Sequence, residues 1–126
     1  MNLWKRQITK RELNKVFLTA MNGLLGLTDK ELAVTTVLLD LRDRPDHALY
    51  PNNIVCKPNR EIIMKRLGIS NQNVIQLISR LKAKHILVRG NRDDEFMLNK
   101  AIIPIIIGNR IVQITLLLKL NESEEV

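Results

Sequence analysis

The sequence predicts an α+β domain in which four helices come first and antiparallel strands follow. Three observations predict it. Apolar residues recur at helical spacing in four segments between residues 9 and 84. Two of those segments meet at a Gly68-Ile69-Ser70 corner, a helix end followed at once by a helix start. Beyond His85 the apolar period changes from helical to alternating. A chain of 126 residues makes one domain, large enough for a real core and too small for two. Aromatics are only 3% of the residues, so Leu, Ile and Val must build that core.

The first helix is expected to open at Thr9-Lys10-Arg11-Glu12, a capping-box pattern of hydroxyl and carboxylate three residues apart. It reaches about Asn22, with Leu13, Val16, Phe17, Ala20 and Met21 on one face, and Gly23 and Gly26 loosen the connection to the next helix. A second capping box, Thr28 to Glu31, opens a helix to about Arg42 that buries Leu32, Val34, Val37, Leu38 and Leu41. Residues 43–58 hold three of the four prolines and form a loop, with a short strand at Asn53 to Cys56. Asn59 then caps a helix carrying Ile62, Ile63 and Leu67. Ser70 caps the next, in which Val74, Leu77, Ile78 and Leu81 face the core.

After His85, Ile86 to Gly90 and Glu95 to Leu98 read as two strands joined by a tight polar turn. A second hairpin comes next: Ala101 to Ile107, a Gly108-Asn109 turn, and a strand from Arg110 to Leu120. Val112, Ile114, Leu116 and Leu118 share one face of that strand. A helix is the alternative for the last segment, but its β-branched residues favour a strand.

The net charge of +7 is unevenly placed. From Lys57 to Arg92 nine Lys or Arg residues face a single acid, Glu61, which leaves +8; the last six residues carry three acids and no base. A basic body of this kind suits a polyanionic partner, most often nucleic acid; the alternative is a solvated basic surface. Cys56 is the sole cysteine, so no intrachain disulfide forms and a reducing compartment is natural. The charged start shows no signal pattern, and the longest apolar run is too short to span a bilayer, so a cytoplasmic protein with no membrane association is expected.

Three segments carry a family resemblance. Leu27 to Leu41 (LTDKELAVTTVLLDL) looks like the opening core helix of the winged helix-turn-helix superfamily. Lys65 to Leu87 (KRLGISNQNVIQLISRLKAKHIL) looks like its L-G-[IV]-S corner followed by a leucine-bearing helix with a basic end. Phe96 to Pro104 (FMLNKAIIP) looks like its second wing strand. The chain is most similar to small winged-helix proteins of phages and plasmids, both transcription regulators and replication-initiator domains. The resemblance implies a winged helix-turn-helix with an extra N-terminal helix and an extra C-terminal β-hairpin. The segments are then 1–27, a basic helix and connector; 28–104, the winged domain; 105–120, the last hairpin; and 121–126, an acidic tail. Where relatives commonly place glycine before the wing this chain has His85, a residue that tolerates the left-handed conformation better than most. Ile75 stands where many relatives have a polar base reader; it either touches thymine methyls or marks a protein-binding face.

On that resemblance the expected partner is double-stranded DNA, bound by a homodimer. Asn71, Gln72 and Asn73, with Gln76 one turn on, meet base edges, and their amides suit adenine. Arg80 and Lys84, four residues apart, reach flanking phosphates; Arg60 and Lys65 on the preceding helix and Arg89 and Arg92 in the wing complete the set. Lys65 and Arg66 also suit the end of a helix dipole, and Asp93, Asp94 and Glu95 oppose a phosphate contact by the wing. Lys5, Arg6, Lys10, Arg11 and Lys15 form a second basic cluster, either an arm that tracks the DNA backbone or the outer side of a dimerising helix, while the apolar face Leu13, Val16, Phe17 and Met21 is read as a dimer face.

No catalytic residue, metal ligand or cofactor is expected. His47, His85 and Cys56 lack ligand spacing, no glycine-rich phosphate loop is present, and Asp40, Asp43 and Asp46 read as surface charge at a helix end. The function expected is transcription regulation of phage or mobile-element type. The alternatives are a replication initiator or accessory DNA-binding protein, and a winged-helix module that docks a host or phage protein.

Overall fold

Helix limits obey local capping chemistry at most ends, and departures from it have identifiable causes. The computed structural model describes residues 7–44, 52–107 and 111–112. Four α-helices precede a two-stranded antiparallel hairpin: α1 Leu13–Leu25, α2 Asp29–Arg42, α3 Lys57–Leu67, α4 Asn71–Ala83, then β1 Leu87–Arg89 and β2 Phe96–Leu98. A shorter pair, β3 Ile106–Ile107 and β4 Ile111–Val112, completes the described elements. The α+β class read from the sequence is therefore observed.

Thr28 and Glu31 form the expected capping box. The Glu31 N–H donates to Thr28 Oγ1 at 3.2 Å, and the Thr28 N–H donates to Glu31 Oε1 at 2.9 Å. The matching pattern at Thr9 does not cap. Lys10–Glu12 is a 3-10 turn in which the Thr9 carbonyl already accepts the Glu12 N–H at 3.1 Å, the donor that a capping-box hydroxyl would take. α1 then runs through Gly23 to Leu25, three residues past the expected end at Asn22, and stops at Gly26. Asn22 holds that exit in place: its side chain accepts from the Leu27 N–H at 2.9 Å and donates to the Leu27 carbonyl at 3.1 Å.

α3 begins three residues earlier than expected, with Cys56 and not Asn59 as its N-cap. Pro58 occupies the first turn, where a missing N–H costs no intrahelical bond. Asn59 instead donates its amide to the Ile54 carbonyl at 2.8 Å. The strand expected at Asn53 to Cys56 is also absent. That segment turns, with Ile54, Val55 and Cys56 buried, and it grips the hairpin at one residue. The Ile54 N–H donates to the Phe96 carbonyl at 2.8 Å, and Asn53 Oδ1 accepts from the Phe96 N–H at 3.3 Å.

The corner between α3 and α4 forms as read. Gly68 ends α3 at φ +63°, a left-handed conformation that costs a residue with Cβ about 1–2 kcal/mol. Ser70 accepts from the Asn73 N–H at 3.2 Å and starts α4. Val74, Leu77, Ile78 and Leu81 are the buried residues of α4, the four expected from spacing.

α2 lies at the centre, in contact with α1, α3 and α4. It buries Val34, Val37, Leu38, Leu39 and Leu41 together with Glu31 and Thr35, while Leu32 is half-buried against the core. Each fully buried Leu or Ile here contributes about 1.5–3 kcal/mol of transfer free energy. Leu18 of α1, Ile63 of α3, Ile86, Leu87 and Leu98 close the core around it.

In the hairpin, Leu87 pairs with Leu98, Val88 with Met97 and Arg89 with Phe96. Leu87 and Leu98 thus fall together on the core side. The next segment departs from the expected strand over residues 101–107. Asn99 caps a 3-10 turn at Lys100–Ile102 by accepting from the Ala101 N–H at 3.0 Å. Only Ile106 and Ile107 pair as strand, with Val112 and Ile111 respectively. The Gly108-Asn109 turn and residues 113–126, including the expected face of Ile114, Leu116 and Leu118 and the acidic tail, lie outside the described residues.

Candidate nucleic-acid interface

α4 owes its exposed face to its own sequence. With Val74, Leu77, Ile78 and Leu81 turned inward, Asn71, Gln72, Asn73, Ile75, Gln76, Ser79 and Arg80 are left on the outside. Asn71, Gln72, Gln76 and Arg80 have no side-chain partner within the described residues, and only the Asn73 backbone is engaged, by Ser70. The helix carries no Asp or Glu at all. The four amides and Arg80 expected from the sequence thus share one solvent-facing helix surface.

Protein partners take up much of the basic charge around this helix. Lys84 caps the end of α4 and donates to Glu31 Oε1 at 2.7 Å and to the Gly26 carbonyl at 2.9 Å. Its ammonium is thereby paired with a carboxylate that is 1% exposed, whereas Arg80 on the same helix has no such partner among the described residues. Arg89 in β1 pairs with Asp93 four residues on. Arg60 is half-buried and donates to the Val55 carbonyl at 3.0 Å. Arg66 pairs with Asp40 at 3.2 Å, and the Lys82 ammonium sits 3.8 Å from the centre of the Phe96 ring. Lys57, Lys65, Arg80 and Arg92 are exposed and have no partner among the described residues.

The sequence pattern does not single out Lys57, because a helix that starts at Asn59 leaves it in a loop. It is in fact the first residue of α3, a place where the dipole disfavours positive charge by about 0.3–1 kcal/mol. The first turns of α3 and α4 both lack acids, whereas α2 begins with Asp29 and Glu31. Two helix starts are therefore free of the carboxylates that would compete with a phosphate.

The titration of Glu31 is perturbed. The hydrogen bond from Lys84 is the main reason its carboxyl titrates below the usual range; the Thr28 N–H adds to this, and burial works against it. Asp40 accepts from the Asn14 amide at 2.8 Å and from Arg66, and Asp43 pairs with Arg42 at 3.2 Å. Asp46 and His47 lie outside the described residues, as do Lys5 and Arg6 of the N-terminal basic cluster. Lys10, Arg11 and Lys15 are exposed. Phe17 and Met21, read from the sequence as part of a dimer face, are instead buried in this chain's own core, and Leu13 and Val16 are half-buried.

Among the described residues no three His, Cys, Asp or Glu side chains gather to hold a metal ion, and no helix is long and apolar enough to cross a membrane. Compared with protein-family models, curated proteins and solved structures, the chain matches none of them.

Proposed function

We propose that the chain is a winged helix-turn-helix protein that binds double-stranded DNA in a sequence-dependent way, with α4 as its recognition helix, and that it regulates transcription. One observation carries this reading. The exposed face of α4 combines unpartnered Asn71, Gln72, Gln76 and Arg80 with no acid, directly after a Gly68–Ser70 turn and directly before an antiparallel hairpin. Amides at the start of a helix suit base edges in a major groove. Lys57, Lys65 and Arg92 supply phosphate contacts, and the acid-free starts of α3 and α4 favour them further. A dimer on a palindromic site would make its two-fold contact away from Phe17 and Met21, which the core already occupies.

The exposed Ile105 and Ile106 and the neutralisation of Arg89 by Asp93 favour a second reading, a winged helix that docks a protein. Selection from a random duplex pool, at low and near-physiological salt, separates the two. Enrichment of a compact motif that persists with salt supports the DNA reading. Binding that enriches nothing and vanishes with salt overturns it and turns attention to a protein partner.

A further inference from the structure

We infer that α4 reads A·T base pairs, with Ile75 as the residue that senses a thymine methyl group. This rests on the DNA-binding reading and makes it more specific.

Ile75 is 51% exposed, on the same outer face of α4 as the amides. It is the one large apolar residue exposed on α3 or α4. A protein-docking surface needs a cluster of such residues at its centre, and α4 offers a single one. Its neighbours on the helix face are Asn71 and Gln72 one turn before, Gln76 beside it, and Ser79 one turn after. All are polar, uncharged and exposed.

The chemistry of base edges makes sense of this mixture. Guanine is read best by a cation that donates twice to O6 and N7, adenine by an amide that donates to N7 and accepts from N6, and thymine by apolar contact with its methyl. The first two turns of α4 hold four Asn or Gln residues (Asn71, Gln72, Asn73 and Gln76, with Asn73 toward the flank) and one exposed Ile, with no Lys or Arg. The first cation, Arg80, lies about 13 Å along the axis from Asn71, beyond the bases that the first turn reaches. An adenine reader beside a methyl sensor matches the two bases of A·T pairs. The charge suits a polyanion such as a duplex, since Lys57, Lys65, Arg80 and Arg92 have no partner among the described residues and α4 itself has no acid.

The test uses the full chain and the duplex it selects. Each thymine of the motif is replaced in turn by deoxyuridine, which removes only the methyl, and binding is measured for the wild type and for Ile75→Ala. One thymine should matter: its loss weakens wild-type binding about four-fold, the value of one buried methyl-sized group. Ile75→Ala should lose affinity on the thymine duplex and be indifferent to deoxyuridine at that position. Circular dichroism checks that the variant stays helical, and Gln72→Ala on the same duplexes should keep its sensitivity to deoxyuridine. A motif rich in G·C at its core, or equal deoxyuridine effects on wild type and Ile75→Ala, overturns the inference and leaves DNA binding standing. Failure to select any motif overturns both.

Discussion

The ammonium of Lys84 and the carboxylate of Glu31 meet at 2.7 Å across 53 residues of sequence, joining the end of α4 to the start of α2. Glu31 Oε1 also accepts the Thr28 N–H, so one buried oxygen both completes a helix cap and anchors α4. Removing the amine leaves a buried carboxylate without its main partner. Lys84→Ala should therefore cost about 2–3 kcal/mol in urea unfolding, less than a fully buried pair because the lysine is partly solvated.

The same pair sets a pH dependence. The Glu31 carboxyl titrates below its unfolded value, so its stabilisation is complete above about pH 4.3 and is lost as pH falls through the lower folded value. Glu31→Gln should be less stable than wild type at pH 7, and the gap should narrow below about pH 4.3. A gap that stays constant from about pH 7 to about pH 3 would show that the ionised form contributes nothing.

His85 closes α4 at φ +61°, with the Ile86 N–H donating to the Leu81 carbonyl at 3.0 Å and the His85 N–H to the Lys82 carbonyl at 3.1 Å. This is a Schellman end built on histidine where glycine is commonest. His85→Gly should raise stability by about 0.5–1 kcal/mol, and His85→Val should lower it by at least as much. Thermal unfolding of the three proteins gives the order directly.

Gly90 is required for space, not for its φ. A Cβ there would lie 2.6 Å from the Asn52 carbonyl oxygen and 3.1 Å from Glu95 Cβ, both in segments held by backbone bonds to the hairpin. Gly90→Ala should cost about 1–3 kcal/mol by overpacking, measured by chemical unfolding.

On DNA, Arg80→Ala should weaken binding to all sequences and reduce the slope of log affinity against log salt by about 0.9. Gln72→Ala should instead relax preference at one base pair, by about 1–3 kcal/mol. Asp93→Ala should strengthen binding at low salt, because it releases Arg89 from its ion pair. Identical losses on selected and random duplexes for Arg80→Ala and Gln72→Ala would count against this division.

Much of the fold is legible in local chemistry. The buried set of α4, the Thr28 box, the Gly68–Ser70 corner and the left-handed tolerance of His85 each depend on neighbours within one or two turns, and such short-range terms are written in the sequence. The exposed amides of α4 come from the same periodicity, so the candidate readers are legible too. Other features depend on partners far along the chain. Thr9 and Thr28 carry the same signature, yet only the second caps, where Glu31 is also held by Lys84. Residues 53–56 have a strand-like composition and dock by turns, because Asn53 and Ile54 find Phe96. The apolar face of α1 is read only in part: Phe17 and Met21 are buried, but Ala20 is exposed and Leu18 with Asn14 is buried in its stead, because the helix turns toward α2 and not toward a second copy.

Charge shows the division most clearly. The sequence alone determines that +8 gathers between Lys57 and Arg92. Only the tertiary structure decides which of those cations remain available to a partner. Lys84, Arg66 and Arg89 are paired with Glu31, Asp40 and Asp93, while Lys57, Lys65, Arg80 and Arg92 have no such partner among the described residues. The physical reason is range. A charge is counted from composition, but its availability depends on which carboxylate lies within a few ångströms, and for Lys84 and Arg66 the packing of distant helices sets that distance.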